Sequence, residues 1–259
     1  MEICPNRHSP TGFLEEANFN CAEKNVIGIT KKAVAILLNL GAKPKYPLPV
    51  DDSVISQPVE QWLENTFREN NAYGAGSSIG HCIGVRVQGL LAQGRDPKQD
   101  SVVATVLQWL HENQDEETGF FRHKGDLKMG MNGLLKMRLG VFQLTGTAIP
   151  RPEKVVQTIL SLQGDDGRFA RSCGDFNGTT LITDLGRGTP QYHEAILSAC
   201  QQILPAFAAK QRSDGGFCWE PQDTEEPNLN ATQVNAKGLA DMREFLIWLS
   251  ERSYKGTIE

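Results

Sequence analysis

The sequence predicts an all-α fold of repeated helical hairpins that form a complete or partial α/α toroid. Three observations support this class. A short loop sequence recurs at a constant interval, an amphipathic stretch precedes each copy, and a stretch rich in glycine and alanine follows it. No segment shows the alternating apolar and polar pattern of a half-buried strand. Hairpins that repeat in this way stack into an open solenoid or close around a cavity.

The recurring loop is clearest in three copies. Their aromatic residues are Phe121, Phe169 and Phe217, so two intervals equal 48 residues (169 − 121 and 217 − 169). A weaker copy places Tyr73 another 48 residues upstream (121 − 73), and Asn6 to Leu14 resembles the same loop. Equal spacing of this kind is the sequence signature of a repeat protein. Four to five units fill the chain.

Each unit holds two predicted helices. Before the loop, apolar residues such as Val103, Val106 and Leu110 follow the spacing of an outer amphipathic helix. After the loop, an inner helix carries glycine and alanine throughout, which lowers helix propensity and marks close packing on neighbours. The outer helices are predicted at 101–113, 153–163 and 192–211, and the inner helices at 78–94, 127–146 and 230–249. Proline and glycine in the links stop and restart the helices, and one domain over 1–259 is predicted.

Composition and charge exclude several classes of protein. The net charge is −5 and no basic stripe exists, which argues against a nucleic-acid partner. The N-terminal residues lack the apolar core of a signal peptide, and no run of about 18 apolar residues predicts a membrane span. A cytoplasmic protein is expected. The six cysteines are isolated, which favours free thiols over disulfides or a zinc knuckle.

The loops resemble the QW-type repeat of the squalene cyclase and protein prenyltransferase β-subunit superfamily, whose members fold as α/α toroids. The matching residues are Gln163, Asp166, Gly167 and Phe169; Gln211, Asp214, Gly215, Gly216, Phe217 and Trp219; and, more loosely, Gln114, Asp115, Gly119 and Phe120. The resemblance implies an enzyme that acts on an isoprenoid-like or carbohydrate-like substrate in a central cavity. The alternative is a non-catalytic helical-repeat module that binds a protein, peptide or glycan on its concave face, because such toroids host many functions.

Two motifs of that superfamily are missing from the sequence. There is no aspartate-rich DxDD stretch, with which squalene-type cyclases protonate their substrate. The zinc pattern of the prenyltransferases, an Asp followed two residues later by Cys and by a distant His, is also missing, since Cys173 and Asp175 stand in the reverse order. No cofactor is therefore predicted, with zinc as an alternative that lacks its usual ligand pattern. The predicted partner is a small-molecule or glycan ligand in the cavity, or a protein.

The candidate catalytic residues are Asp175, Cys173 and His81. Cys173 and Asp175 occur in one repeat only and lead into an inner helix, where a thiol and a carboxylate two residues apart would supply a nucleophile or ligand pair. His81 opens another inner helix and would serve as acid, base or ligand. The structural alternatives are a buried cysteine, an aspartate at a helix N-terminus and a core histidine.

The candidate ligand-binding residues are Asn132, Asn177, Asn230, Asp126 and Lys128. The three asparagines recur at inner-helix starts, so they either form a ring of amides at the cavity mouth or cap their own helices. Asp126 and Lys128 bring mixed charge to another inner-helix start. They suit an anionic or polyhydroxy ligand, and a solvated loop is the alternative.

Overall fold

The structure, a computed structural model, describes residues 21–46, 48, 57–122, 124–223 and 226–255. Its helices are α1 (Cys21–Asn39), α2 (Val59–Glu69), α3 (Ala72–Ala92), α4 (Ser101–Glu112), α5 (Leu127–Met137), α6 (Gln143–Thr145), α7 (Pro152–Ser161), α8 (Gly174–Gly186), α9 (His193–Lys210) and α10 (Leu229–Lys255). A π-helical segment, Arg138–Phe142, joins α5 to α6. Within the described ranges no strand forms, which confirms the all-α class. Closure into a toroid stays a prediction.

The chain divides into two compact units. Unit 1 comprises Met1–Asn113 and Lys136–Ile149, and unit 2 comprises Gln114–Leu135 and Pro150–Glu259. Each unit contains inner and outer helices of the kind that the sequence predicts. The prediction of one domain over 1–259 stays a prediction.

Unit 1 depends on glycine for close packing between inner helices. Helix α3 packs against α1 and against the π-helical segment. A Cβ atom on Gly140 would lie 1.9 Å from the carbonyl oxygen of Gly80, and one on Gly80 would lie 2.3 Å from that of Lys136. Only glycine permits these backbones to approach so closely, which confirms the close packing predicted for the inner helices. The outer helix α4 is capped by Asp100, whose buried carboxylate accepts from the Val103 N–H and also accepts two hydrogen bonds from Arg86 at 2.8 and 2.9 Å.

Unit 2 is built around α8. This inner helix packs against α10, α7 and α9. Its core contains fully buried aromatic side chains contributed by loop and helices alike, among them Phe169, Phe207 and Phe245. Burying a phenylalanine contributes roughly 1.5 to 3 kcal/mol, so these rings hold the hairpins together.

Three loops in unit 2 share one geometry: loop A (Gln114–Phe121), loop B (Gln163–Ala170) and loop C (Gln211–Cys218). In each, the leading glutamine donates from Nε2 to a glycine carbonyl, at 2.8, 2.7 and 3.3 Å in order. In each, a glycine has positive φ, between 71° and 88°. L side chains are strained in this conformation, so the glycines are required for the turn. The predicted repeat is confirmed for these three copies.

The weaker fourth copy is not a loop. Tyr73 lies in the first turn of α3. The residue that aligns with the positive-φ glycines is Asn71, two residues before the aromatic position, and it has φ −70°. Its side chain accepts a hydrogen bond from the Gly74 N–H at 2.8 Å, so Asn71 caps the helix and no turn forms. The proposed copy at Asn6 to Leu14 lies outside the described residues.

Candidate functional site

Asp175 lies fully buried at the start of α8. Its Oδ2 accepts hydrogen bonds from Arg168 at 2.9 Å and from Lys210 at 2.6 Å. Its Oδ1 accepts from the backbone N–H groups of Phe169 at 3.1 Å and Ala170 at 3.4 Å. A carboxylate offers about four acceptor sites, so these four donors occupy the group. Asp175 fixes loop B to α8 and to the end of α9.

A second carboxylate completes this charged cluster. Arg168 donates to both oxygens of Glu220, at 2.8 and 3.3 Å, and Glu220 also accepts from the Ser172 N–H. Burial acts to raise the pKa of Glu220, but the hydrogen bonds from Arg168 and Ser172 hold it below its usual value. The hydrogen bond that Arg168 donates to Glu220 comes first among the causes that raise the pKa of Arg168. The cluster of Asp175, Arg168, Lys210 and Glu220 therefore sums to zero formal charge.

Two of the predicted asparagines contact each other. The Asn177 amide donates to Asn132 Oδ1 at 2.6 Å, and both side chains are buried. The same amide lies 3.6 Å from the Cys173 sulfur, which places three candidate residues together. The Oδ1 atom of Asn177 is buried and accepts no hydrogen bond from any described residue. This carbonyl is the one acceptor of the trio that a ligand or water donor would satisfy.

The remaining candidates of unit 2 lie at exposed helix starts. Asn230 is exposed, and α10 is capped by Asn228, which accepts hydrogen bonds from the N–H groups of Asn230 and Ala231. Asp126 is exposed and accepts from the Met129 N–H at 3.0 Å, so it caps α5. Lys128 is exposed in the first turn of α5. The structure thus brings Asn132 and Asn177 together, whereas Asn230 takes no part in that contact.

His81 lies in unit 1, in a cluster of positive charges, and the prediction that it opens an inner helix is wrong, because α3 begins at Ala72 and His81 lies in its middle. The imidazole packs against α1, because a Cβ atom on Gly28 would lie 3.3 Å from its Cε1. Burial, followed by the charges of Lys31, Lys136 and Lys32, lowers its pKa to about 4. The ring is therefore neutral at pH 7, with one nitrogen that donates and one that accepts.

Lys31 is the most unusual group of this cluster. Its ammonium donates to the Gly80 carbonyl at 3.3 Å and to no other described group. Burial comes first among the causes that lower its pKa to about 8, and the charges of Lys136 and Lys32 follow. Its stem packs closely on α3, since a Cβ atom on Gly84 would lie 2.6 Å from Lys31 Cδ. A partly buried ammonium thus stands beside other cations, and no carboxylate of the described residues pairs with it.

The comparisons with known proteins are silent. No family model, no curated protein and no solved structure matches the chain. The resemblance to the squalene cyclase and prenyltransferase superfamily therefore stays a prediction.

Two further properties bear on the predicted partners. In the described ranges, no helix is both long and apolar enough to cross a membrane. Among the same residues, no three His, Cys, Asp or Glu side chains are grouped as a metal site would require. The prediction that no cofactor is needed remains untested.

Sequence reasoning missed the cations that define both clusters. Lys31 and Lys32 interrupt the apolar stretch of α1, and a lysine pair inside such a stretch is a signal that could have been read. Arg168 stands between Gly167 and Phe169 of loop B, where the repeat alignment gave it no role. Lys210 stands in the last turn of α9, where a basic residue is common and gives no sign of an ion pair.

Proposed function

We propose that this protein is a helical-repeat binding module that holds an anionic ligand at the cluster of Lys31, His81 and Lys136 in unit 1. The observation that carries the proposal is the partly buried ammonium of Lys31, whose only described hydrogen-bond partner is the Gly80 carbonyl. Burying a charge is costly unless it is paired, so a site of this kind is electrostatically incomplete. A phosphate or carboxylate group would complete it.

The groups around Lys31 suit such a ligand. The charges of Lys136 and Lys32 contribute to lowering the pKa of both Lys31 and His81, so these four groups interact electrostatically. The neutral imidazole can donate one hydrogen bond to an anion, and a bound anion would raise the pKa of both Lys31 and His81 towards their ordinary values. Inner-helix glycines bring the backbone close to these groups, which keeps the site rigid.

An enzyme acting on an isoprenoid-like or carbohydrate-like substrate is the second candidate. It is favoured by Asn177, whose buried Oδ1 lacks a donor, and by Cys173 beside it. The saturated hydrogen bonding of Asp175 weighs against this candidate, because a general acid or base needs a position open to substrate. The binding module is therefore the better supported function.

Isothermal titration calorimetry with pyrophosphate, at constant ionic strength, tests the proposal. We expect the wild-type chain to bind pyrophosphate and Lys31→Met to lose at least about tenfold in affinity, since a charge-assisted hydrogen bond contributes roughly 1.5 to 3 kcal/mol. Lys98→Met, at an exposed lysine of the same unit, is the matched control and should bind like the wild type. Equal affinity of the Lys31 and Lys98 variants, or no binding by the wild type, would refute the proposal.

A further inference from the structure

Loops A and B each receive the helix that follows them in the outer layer. Besides its own glycine, Gln114 donates to the Pro150 carbonyl at 2.6 Å, and Gln163 donates to the Ala199 carbonyl at 3.0 Å. Both acceptors stand 36 residues downstream of their glutamine. The glutamine of each loop thus fixes the backbone immediately before α7 or within α9.

The positive-φ glycines of the same loops touch the same two helices. A Cβ atom on Gly119 would lie 2.8 Å from the Val155 backbone nitrogen of α7. A Cβ atom on Gly167 would lie 2.2 Å from the Gln202 carbonyl oxygen of α9. Loops A and B therefore share one arrangement, which we call the repeat rule. The glutamine donates to the backbone of an outer helix or to the residues just before it, and the glycine permits close approach of that helix.

Loop C has the same conformation without a helix against it. Among the described residues, Gln211 donates to Gly215 alone, and its side chain is exposed. A Cβ atom on Gly215 would meet nothing within 4 Å. Loop C therefore has both the glutamine and the positive-φ glycine. No described helix packs against it as α7 and α9 pack against loops A and B.

An apolar groove marks that place. It has a volume of about 410 Å³ and is lined by Leu204, Pro205 and Ala208 of α9, with Gln211 and Phe217 of loop C. Leu204 is 45% exposed, although it is a large hydrophobic residue. The helical spacing of 201, 204, 205 and 208 is that of a face that packs on another helix.

The chain itself carries an apolar helical face of the complementary kind. Ile29, Ile36 and Leu37 of α1, and Leu40 directly after it, are exposed at 67%, 60%, 37% and 76%. Their spacing of i, i+7, i+8 and i+11 puts them on one side of the helix, while Ile27 and Val34 are buried. A helix that is apolar on two sides is normally covered on both.

We propose that the groove beside loop C binds the exposed face of α1 from a second copy of this chain. The repeat rule predicts that an amphipathic helix packs against loop C, and the exposed aliphatic side chains of α1 suit an apolar groove. Gln211 would donate to a backbone carbonyl of the incoming helix, as Gln114 and Gln163 do. Because groove and helix are different surfaces, the contact is head-to-tail and leads to rings or filaments. The inference is independent of the proposed anion site.

Sedimentation velocity of the full chain over a range of concentrations tests the inference. We expect the wild-type mass to rise with concentration, and Leu204→Asp and Ile36→Asp each to sediment as monomers. An equimolar mixture of the two variants should form a dimer and nothing larger, since one supplies an intact groove and the other an intact α1. Leu246→Asp is the matched control, because Leu246 on α10 is also 45% exposed but does not line the groove.

Circular dichroism of each variant establishes that it is folded, and Gln211→Ala, which should weaken association, provides a second groove variant. A wild-type chain that stays monomeric at every concentration would overturn the inference. So would association that survives Leu204→Asp, or association that Leu204→Asp removes while Ile36→Asp leaves it intact. That last pattern would assign the groove to an occupant other than α1.

Discussion

Lys210 in unit 2 is fully buried and Lys31 in unit 1 is partly buried, and the charges around them differ. The ammonium of Lys210 lies 2.6 Å from Asp175, in a cluster whose charges sum to zero. The ammonium of Lys31 donates to a backbone carbonyl and stands beside two more lysines. The first lysine is part of a completed structural network, whereas the second leaves positive charge for something else to neutralise.

The presence or absence of a described carboxylate partner therefore distinguishes a structural lysine from a candidate binding lysine more clearly than burial alone does. Removing one partner of a buried ion pair leaves an uncompensated charge, whereas removing an unpaired buried charge relieves one. The same substitution should therefore have opposite effects on stability at the two lysines.

Lys210→Met should cause the largest loss. It leaves Asp175 buried with one cation fewer, which typically costs about 3 to 5 kcal/mol in the free energy of unfolding. Urea denaturation measures the loss. Lys237→Met is the control, because the ammonium of Lys237 is exposed to solvent in its pair with Asp241 and should contribute less than about 1 kcal/mol. If both variants lost the same stability, the account of the Asp175 cluster would be wrong.

Gly167→Ala and Gly215→Ala extend the comparison to a filled and an open position. Both glycines have positive φ, which costs alanine about 1 to 2 kcal/mol. At Gly167 the new Cβ also meets the Gln202 carbonyl at 2.2 Å, so the total loss should be larger by about 1 to 3 kcal/mol. Thermal unfolding at low protein concentration, where chains are separate, measures both. Equal losses would contradict the packing of loop B on α9.

His81→Gln should change how stability depends on pH. The pKa of His81 is lowered from 6.5 to about 4, so below pH 6.5 the unfolded chain binds a proton that the folded chain does not. Wild-type stability should therefore fall as the pH drops from 6.5 to 4. The variant should lose less over this range, by about 1 to 2 kcal/mol after allowing for partial solvent exposure.

Urea denaturation at several pH values measures this slope. The exposed histidine at 111 offers the control variant His111→Gln. A His81 variant that keeps the whole wild-type dependence would show that burial and the charges of Lys31, Lys136 and Lys32 do not lower the pKa of this imidazole.

The sequence predicted three of the repeat loops correctly, but it did not predict the charged clusters. Loops A to C follow from local chemistry, since glycine is needed at positive φ and a glutamine at the helix end satisfies backbone carbonyls. The failure at Tyr73 has the same origin, because Asn71 replaces that glycine and starts a helix instead. Which charges meet depends on contacts such as Asp175 with Lys210, 35 residues apart, and repeat spacing does not encode these.

The candidate residues illustrate the same division. The contact of Asn132 with Asn177 follows from two corresponding positions in successive repeats, and it was within reach of the alignment. Asn230 is exposed, whereas the buried asparagine of α10 is Asn235. The lysine of α1 was overlooked because one charge in an apolar helix is read as solvent-exposed unless its neighbours are known.

Unfolding of Lys31→Met, measured in urea with and without pyrophosphate, tests the central claim most directly. Without the anion, we expect the variant to be as stable as the wild type or more stable by about 1 kcal/mol, because an unpaired buried charge has been removed. With pyrophosphate, the wild type should gain stability and the variant should not. A variant that is destabilised as strongly as Lys210→Met, or that gains as much from pyrophosphate as the wild type, would contradict the account.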